Sequence, residues 1–112
     1  MAASSTNTLV LSVVVTAAAT QFRAVGHTGG APAAAANALG FAQQGGSIGD
    51  AVPVVALGTA IAEAGAAITA GSLVELDSSQ RVITRSAGAI VGRALTAAGA
   101  AGDQVEVLVI PN

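Results

Sequence analysis

Two aspartates at equivalent, glycine-flanked positions are the first candidates for chemistry. Asp50 follows Gly49, and Asp103 follows Gly102 in a similar segment. Two carboxylates brought together could share acid–base work or bind a hard cation. The structural alternative is a Gly-Asp turn, in which the carboxylate accepts backbone N–H bonds before a strand begins. We favour the turn, so the sequence predicts no metal site and no catalytic carboxylate pair.

The other groups that could react are isolated from one another. His27 is the sole histidine, which leaves no histidine pair for a metal or a relay, and the chain has no cysteine. No serine lies in a G-x-S-x-G elbow. The glycine clusters at 29–30 and 45–46 lack the Lys-Ser/Thr that follows a phosphate loop. We therefore predict that the chain is not an enzyme and binds no cofactor.

Charge and hydropathy exclude two kinds of partner. The net charge is −2, and the four arginines are too few to hold nucleic acid through its phosphates. These arginines could form a patch that reads sugar or phosphate, but we favour pairing with Glu and Asp on strand faces or at an interface: Arg23, Arg81, Arg85 and Arg93.

No run reaches the ~18 apolar residues of a membrane-spanning helix. Residues 1–8 lack the positive charge of a secretory signal.

The elements that position these residues are arranged in a pattern that appears twice. Leu39-Gly40-Phe41-Ala42 is echoed by Val91-Gly92-Arg93-Ala94, at an offset of 52. The segment 49–54 is echoed by 102–107, at an offset of 53, and 21–25 aligns more loosely with 72–76, at an offset of 51. Such self-similarity predicts two related halves, about 9–57 and 60–110.

Turn residues recur at the spacing of short strands. Clusters of Gly, Pro, Asn and Asp separate apolar segments, which is typical of an all-β chain. We predict a small β-sandwich of jelly-roll type or a closed β-barrel, both of which limit exposed strand edges. Residues 26–37 are predicted to be a loop with room for a short helix after Pro32. The predicted strands are 8–16, 20–25, 38–43, 51–57, 59–64, 71–76, 80–85, 88–95 and 104–110.

The composition indicates association with another surface. Of the 112 residues, 53% are hydrophobic and 9% are charged, against a usual charged share of about 25%. Two phenylalanines are the only aromatic residues, so large buried side chains are scarce. A small core and sparse charge predict a homo-oligomer, which buries part of the apolar surface.

The first strand is the best candidate for that contact. Residues 1–8 are small and mostly polar and are predicted to form a flexible N-terminal arm before a single β domain at 9–112. The strand that follows is apolar on both faces, although its own core needs only one of them. The other face needs a cover, so we predict an interface at Val10, Leu11, Val13, Val14 and Val15.

Four segments in order resemble the phage capsid cement, or decoration, proteins. They are Ala70-Gly71-Ser72-Leu73-Val74, the turn from Asp77 to Gln80, Ile90-Val91-Gly92-Arg93-Ala94-Leu95, and Gly102-Asp103-Gln104-Val105-Glu106-Val107. The likeness runs from about Thr16 to Ile110. It departs at Gln80, where similar chains often place a turn glycine.

This resemblance implies a location and partners. Members are small Ala/Gly/Val-rich chains that bind the outer surface of a tailed-phage head. The resemblance implies an all-β fold, a dimer or trimer, no catalytic residues, and binding to the major capsid protein where capsomers meet. The first strand would then contact the capsid or a second subunit. A carbohydrate-binding secreted or surface β-module is the alternative, and the lack of Trp and Tyr counts against it.

Overall fold

The fold is all-β, as predicted. A computed structural model describes residues 4–112, and no helix occurs among them. The loop at 26–37 forms turns and no helix after Pro32. Eight strands follow one another along the chain: β1 (Asn7–Val14), β2 (Ala24–Val25), β3 (Gly40–Ala42), β4 (Ala51–Glu63), β5 (Leu73–Leu76), β6 (Val82–Thr84), β7 (Gly92–Ala94) and β8 (Gln104–Val109).

The eight strands form a single curled antiparallel sheet. Its order is β2-β3-β4-β8-β7-β5-β6, and β1 pairs with β4 beside this path. The two ends of the sheet approach each other, because the Ala24 N–H donates to the Gln80 carbonyl at 3.0 Å. A bridge between Ala64 and Val82 also joins the region after β4 to β6. Of the two predicted architectures, a single curled sheet with tethered ends is nearer to a barrel than to two packed sheets.

Strand β4 is the longest strand and pairs with strands of both halves. Its thirteen residues were predicted as two strands, 51–57 and 59–64, because Gly58 interrupts the apolar run. Gly58 has a φ of +93°, which only glycine adopts readily, yet pairing continues through it. It lies opposite both Asn7 of β1 and Val109 of β8. Strands β8 and β1 therefore meet at the middle of β4.

The two related halves are visible in the strand pairing. Phe41 of β3 pairs with Val55, and Arg93 of β7 pairs with Leu108, which reproduces both sequence offsets. Val13 of β1 lies opposite Val52, and Ala62 lies opposite Val105. The first part of β4 is thus the last strand of the first half, and its second part is the first strand of the second half. Among the described strands of the first half, none corresponds to β6.

The loosest part of the sequence alignment needs a correction. The predicted offset of 51 between 21–25 and 72–76 is wrong by two residues. Ala24 pairs with Phe41 as Leu73 pairs with Arg93, so the structural offset is 49. The Ala19–Gly46 and Ile68–Ala98 bridges keep the same offset. At this offset the two segments share their backbone pairing but only one residue type, since Val25 corresponds to Val74, so the sequence carried little signal for the correct alignment.

Two apolar clusters fill the interior. The larger cluster surrounds Phe41 and is built mainly from valine and alanine of β4, β5, β7 and β8. The smaller one joins Val15, Val25, Ala42, Val52 and Val54. Neighbouring β4 residues enter different clusters, since Val54 and Val55 are both fully buried. Strand β4 is therefore covered on both faces, as its continuous apolar sequence requires.

The repeated glycines allow strands to approach closely. A Cβ at Gly40 would lie 1.9 Å from the Val55 carbonyl oxygen, and a Cβ at Gly92 would lie 2.6 Å from that of Leu108. Val55 and Leu108 are equivalent residues of the two halves. The same contact therefore requires glycine at both copies of the pattern.

Candidate docking surface

Strand β1 is the most exposed of the described strands. It pairs with β4 along one edge, and seven of its eight residues are exposed. The exposed fraction is 44% for Val10, 36% for Leu11 and 63% for Val14. Because these side chains alternate along the strand, both faces of β1 present aliphatic groups to the surroundings.

Further apolar side chains extend this region. Leu9 and Leu57 face each other across the β1–β4 ladder, and both are exposed. Ile48 is 71% exposed and lies in the turn beside the end of β1, where the Gly49 N–H donates to the Val15 carbonyl at 2.9 Å. The predicted interface did not include these three residues: Leu9 lies within the predicted strand 8–16, whereas nothing in the local pattern of Ile48 and Leu57 shows that they adjoin β1. We name the six residues Leu9, Val10, Leu11, Val14, Ile48 and Leu57 the β1 surface.

The remaining residues of the predicted interface point inward. Val15 is 1% exposed and belongs to the smaller core cluster. Val13 is half-buried and packs against the same cluster. Of the five residues of the predicted interface, Val10, Leu11 and Val14 are therefore the ones exposed for a contact.

The start of β1 lies within the predicted arm. The strand begins at Asn7, two residues before the predicted domain boundary. Ahead of it, the Thr6 N–H donates to Thr59 Oγ1 at 2.7 Å, and the Ser4 hydroxyl donates to Glu106 Oε1 at 3.3 Å. Residues 1–3 lie outside the described residues, and the flexibility of residues 1–8 stays a prediction.

Asp50 and Asp103 are turn residues in both halves. Asp50 Oδ2 accepts the Ser47 N–H at 2.9 Å. Asp103 Oδ2 accepts the N–H groups of Gly99 and Ala100 at 2.9 and 3.2 Å. Each carboxylate thus closes the turn before its own strand, which confirms the turn interpretation. His27 is an exposed loop residue.

A buried carboxylate holds the turn after β6. Glu75 is 7% exposed, and its Oε1 accepts the backbone N–H groups of Ser86, Ala87 and Gly88. These bonds lower the pKa of Glu75 below its ordinary value of 4.5, and the bond from Ser86 has the largest effect. Sequence reasoning missed this role, because the three donors are backbone groups without a side-chain signature.

Two of the four arginines join an ionic cluster where the ends of the sheet meet. Arg23 lies 3.1 Å and Arg81 3.6 Å from Glu63, and Arg81 also lies 3.2 Å from Asp77. This confirms the predicted pairing for Arg23 and Arg81. Arg85 and Arg93 instead donate to the backbone carbonyls of Gly88 and Gly71.

The predicted turn at Asp77 is formed as the sequence indicated. Asp77 Oδ1 accepts the N–H groups of Ser79 and Arg81 at 2.8 and 2.9 Å. Gln80 adopts a φ of +63°, the left-handed conformation that favours glycine. Gln80, which stands where similar chains often place a turn glycine, therefore adopts the left-handed conformation of such a turn.

Other kinds of site are absent from the part of the chain that the structure describes. Residues 4–112 contain no group of three or more His, Cys, Asp or Glu side chains placed to hold a metal ion. No pocket opens on the described surface. Among the described residues, no helix is available to span a membrane.

Comparison with known proteins identifies the family and the fold. A family model described as phage cement protein matches residues 3–109. Curated protein sequences give no match. The fold is similar to the head fiber gp8.5 N base of bacteriophage phi29, with a TM-score of 0.76 and 15% identity over 91% of this chain and 93% of that one. Because the family match extends over nearly the whole β domain, the chain belongs to the phage cement protein family.

Proposed function

We propose that this protein binds the outer surface of an assembled phage capsid and cements neighbouring major capsid protein subunits. The observation that carries this proposal is the cement family match over residues 3–109, which includes every described strand. The similarity to a phage head fiber base supports a place on the virion. We infer a structural role without catalysis, carried out by a homo-oligomer.

Cementing follows from preferential binding to the assembled shell. A ligand that binds the assembled state and not the free subunits stabilises that state by RT ln(1 + [L]/Kd), which is about 2.7 kcal/mol at a hundredfold excess over Kd. Many copies around one shell add these small increments. A copy that bridges two capsid subunits also gains from effective concentration, so each contact needs only modest affinity.

The β1 surface is suited to one of the contacts that this function requires. Val10, Leu11 and Val14 stay exposed in the single chain, although an uncovered aliphatic edge strand is prone to aggregation. We propose that they contact the capsid or a second subunit. Residues 1–8 add a segment that can extend the contact along a neighbouring strand edge.

Heads that lack this protein provide the test of cementing. Adding the purified protein should raise the temperature at which such heads disassemble, and the rise should grow with the logarithm of its concentration above Kd. Unassembled major capsid protein serves as the control and should show no such shift. An equal shift for free subunits, or none for heads, would contradict cementing.

A further inference from the structure

The second half of the molecule provides an internal comparison for β1. The second part of β4 occupies the place that β1 occupies in the first half, since Val13–Val52 and Ala62–Val105 are equivalent pairs. At the offset of 49 residues that relates Val13 to Ala62, Thr59 corresponds to Val10 and Glu63 to Val14. Both counterparts are polar and half-buried. The shared scaffold therefore does not require aliphatic side chains at Val10 and Val14, and a separate contact must account for them.

The outer edge of β1 is also available for pairing over most of its length, up to Val14, whose carbonyl lies beside Gly29. No backbone hydrogen bond joins residues 7–14 to any described segment except β4. The ends of the sheet are different, because β2 and β6 are tethered through the Gln80 carbonyl and Ala64. Among the described strands, β1 thus combines a long free edge with two aliphatic faces, and such an edge accepts a further strand readily.

The charge distribution indicates what that further strand belongs to. Only Arg23 and Asp50 of the ten charged residues precede Glu63, and none lies between residues 1 and 22. A charge near a symmetry axis would face its own copy, so a charge-free surface suits contact between identical chains. A different partner is usually selected by complementary charges. Strand β1 itself offers none, although Asp50, whose carbonyl accepts the Val15 N–H at 3.0 Å, places a charge at its end.

We propose that β1 is the surface through which this chain associates with a second copy of itself. The outer edge of β1 receives a strand from that copy, and Val10 and Val14 become buried in the contact. This inference rests on the proposed function only in treating β1 as a binding surface. Contact with the capsid then falls on other parts of the molecule.

Sedimentation equilibrium of the free protein, without heads, tests this proposal. The wild-type protein should be an oligomer at micromolar concentration. Val14→Asp should raise the dissociation constant by about 100-fold or more, because an unpaired carboxylate would be buried. The matched control is Leu108→Asp, which places the same charge on β8 at a residue that is 42% exposed, and it should leave the mass unchanged.

Hydrogen exchange provides a second measurement that does not depend on any variant. Amide protection in residues 7–14 of the wild-type protein should fall on dilution to the monomer, whereas protection of β8 should not. A monomeric wild-type protein, an oligomeric Val14→Asp protein, or equal dissociation by Leu108→Asp would overturn the proposal. Head binding by a monomeric wild-type protein would overturn this inference and the homo-oligomer, but it would leave the proposed binding to the capsid standing.

Discussion

At single positions, the repeated pattern keeps glycine where a neighbouring backbone oxygen leaves no room for a side chain. Gly40 and Gly92 meet the carbonyls of Val55 and Leu108 at equivalent points of the two halves. A backbone oxygen cannot move aside as a flexible side chain can, because the strand pairing fixes it. The repeat visible in the sequence therefore reflects a packing requirement and not a ligand site.

We expect Gly40→Ala and Gly92→Ala each to lower the free energy of unfolding by about 3 kcal/mol, the cost of overpacking a rigid site. Urea unfolding followed by circular dichroism measures this change. Gly30→Ala is the control, since its Cβ would meet only Thr16 Oγ1 at 3.5 Å, and its effect should stay within about 0.5 kcal/mol. Equal stability of all three variants would contradict the packing argument.

Glu75 gives the stability of the protein a pH dependence. Its pKa is lowered in the folded state, so the carboxylate stabilises the fold above its ordinary value of 4.5. This contribution is lost as the pH falls through the lowered value. We expect the unfolding free energy of the wild type to fall between about pH 5 and pH 3 more steeply than that of Glu75→Gln.

The control for this prediction is Ser86→Ala, because the backbone N–H of Ser86, and not its hydroxyl, donates to Glu75. Its pH profile should match the wild type. Parallel profiles of wild type and Glu75→Gln would show that the three backbone bonds do not favour the ionised form.

The isolated polar residues should be dispensable for binding. We expect His27→Ala, Asp50→Asn and Asp103→Asn each to keep the affinity for heads within about tenfold of the wild type. His27 is an exposed loop residue, and the two aspartates bond to the backbone of their own turns. Loss of binding by a variant that keeps its circular dichroism spectrum would assign that residue a direct role.

At the scale of elements, the sequence located every strand, although several came out longer than the structure has them. Period-two patterns and turn residues mark strands locally, but Gly58 looked like a break because its continued pairing depends on β1 and β8. The sequence alignment of β2 with its counterpart β5 was two residues out, because only Val25 and Val74 share a residue type at the correct offset. The pattern of β1 showed two apolar faces, but only the packing of Val15 shows which side chains stay exposed.

The N-terminal segment is the element whose removal best tests head binding. Deleting Met1–Thr8 should weaken binding to heads and leave the fold nearly intact, because the described residues of the segment are exposed. The deletion removes the hydrogen bonds that Thr6 and Ser4 donate to Thr59 and Glu106, each worth about 1 kcal/mol. Co-sedimentation and circular dichroism measure the two effects. Unchanged binding would exclude the segment from the interface with heads.

At the scale of the whole molecule, the two halves share a pattern of strand pairing and differ in their surfaces. The second half carries most of the charge, and its residue Glu63 joins the ionic cluster that tethers the ends of the sheet. The first half carries the uncharged, aliphatic β1 surface. If β1 is the self-association surface as proposed, the first half provides association and the second half most of the ionic cluster that closes the fold.

The proposed function rests on the claim that this protein recognises an assembled phage head. Co-sedimentation of the purified protein with heads that lack it, over a range of concentrations, tests the claim most directly. We predict binding that saturates at a fixed number of copies per capsid subunit, with no binding to unassembled major capsid protein. Binding that fails to saturate, or the absence of binding to heads, would contradict it.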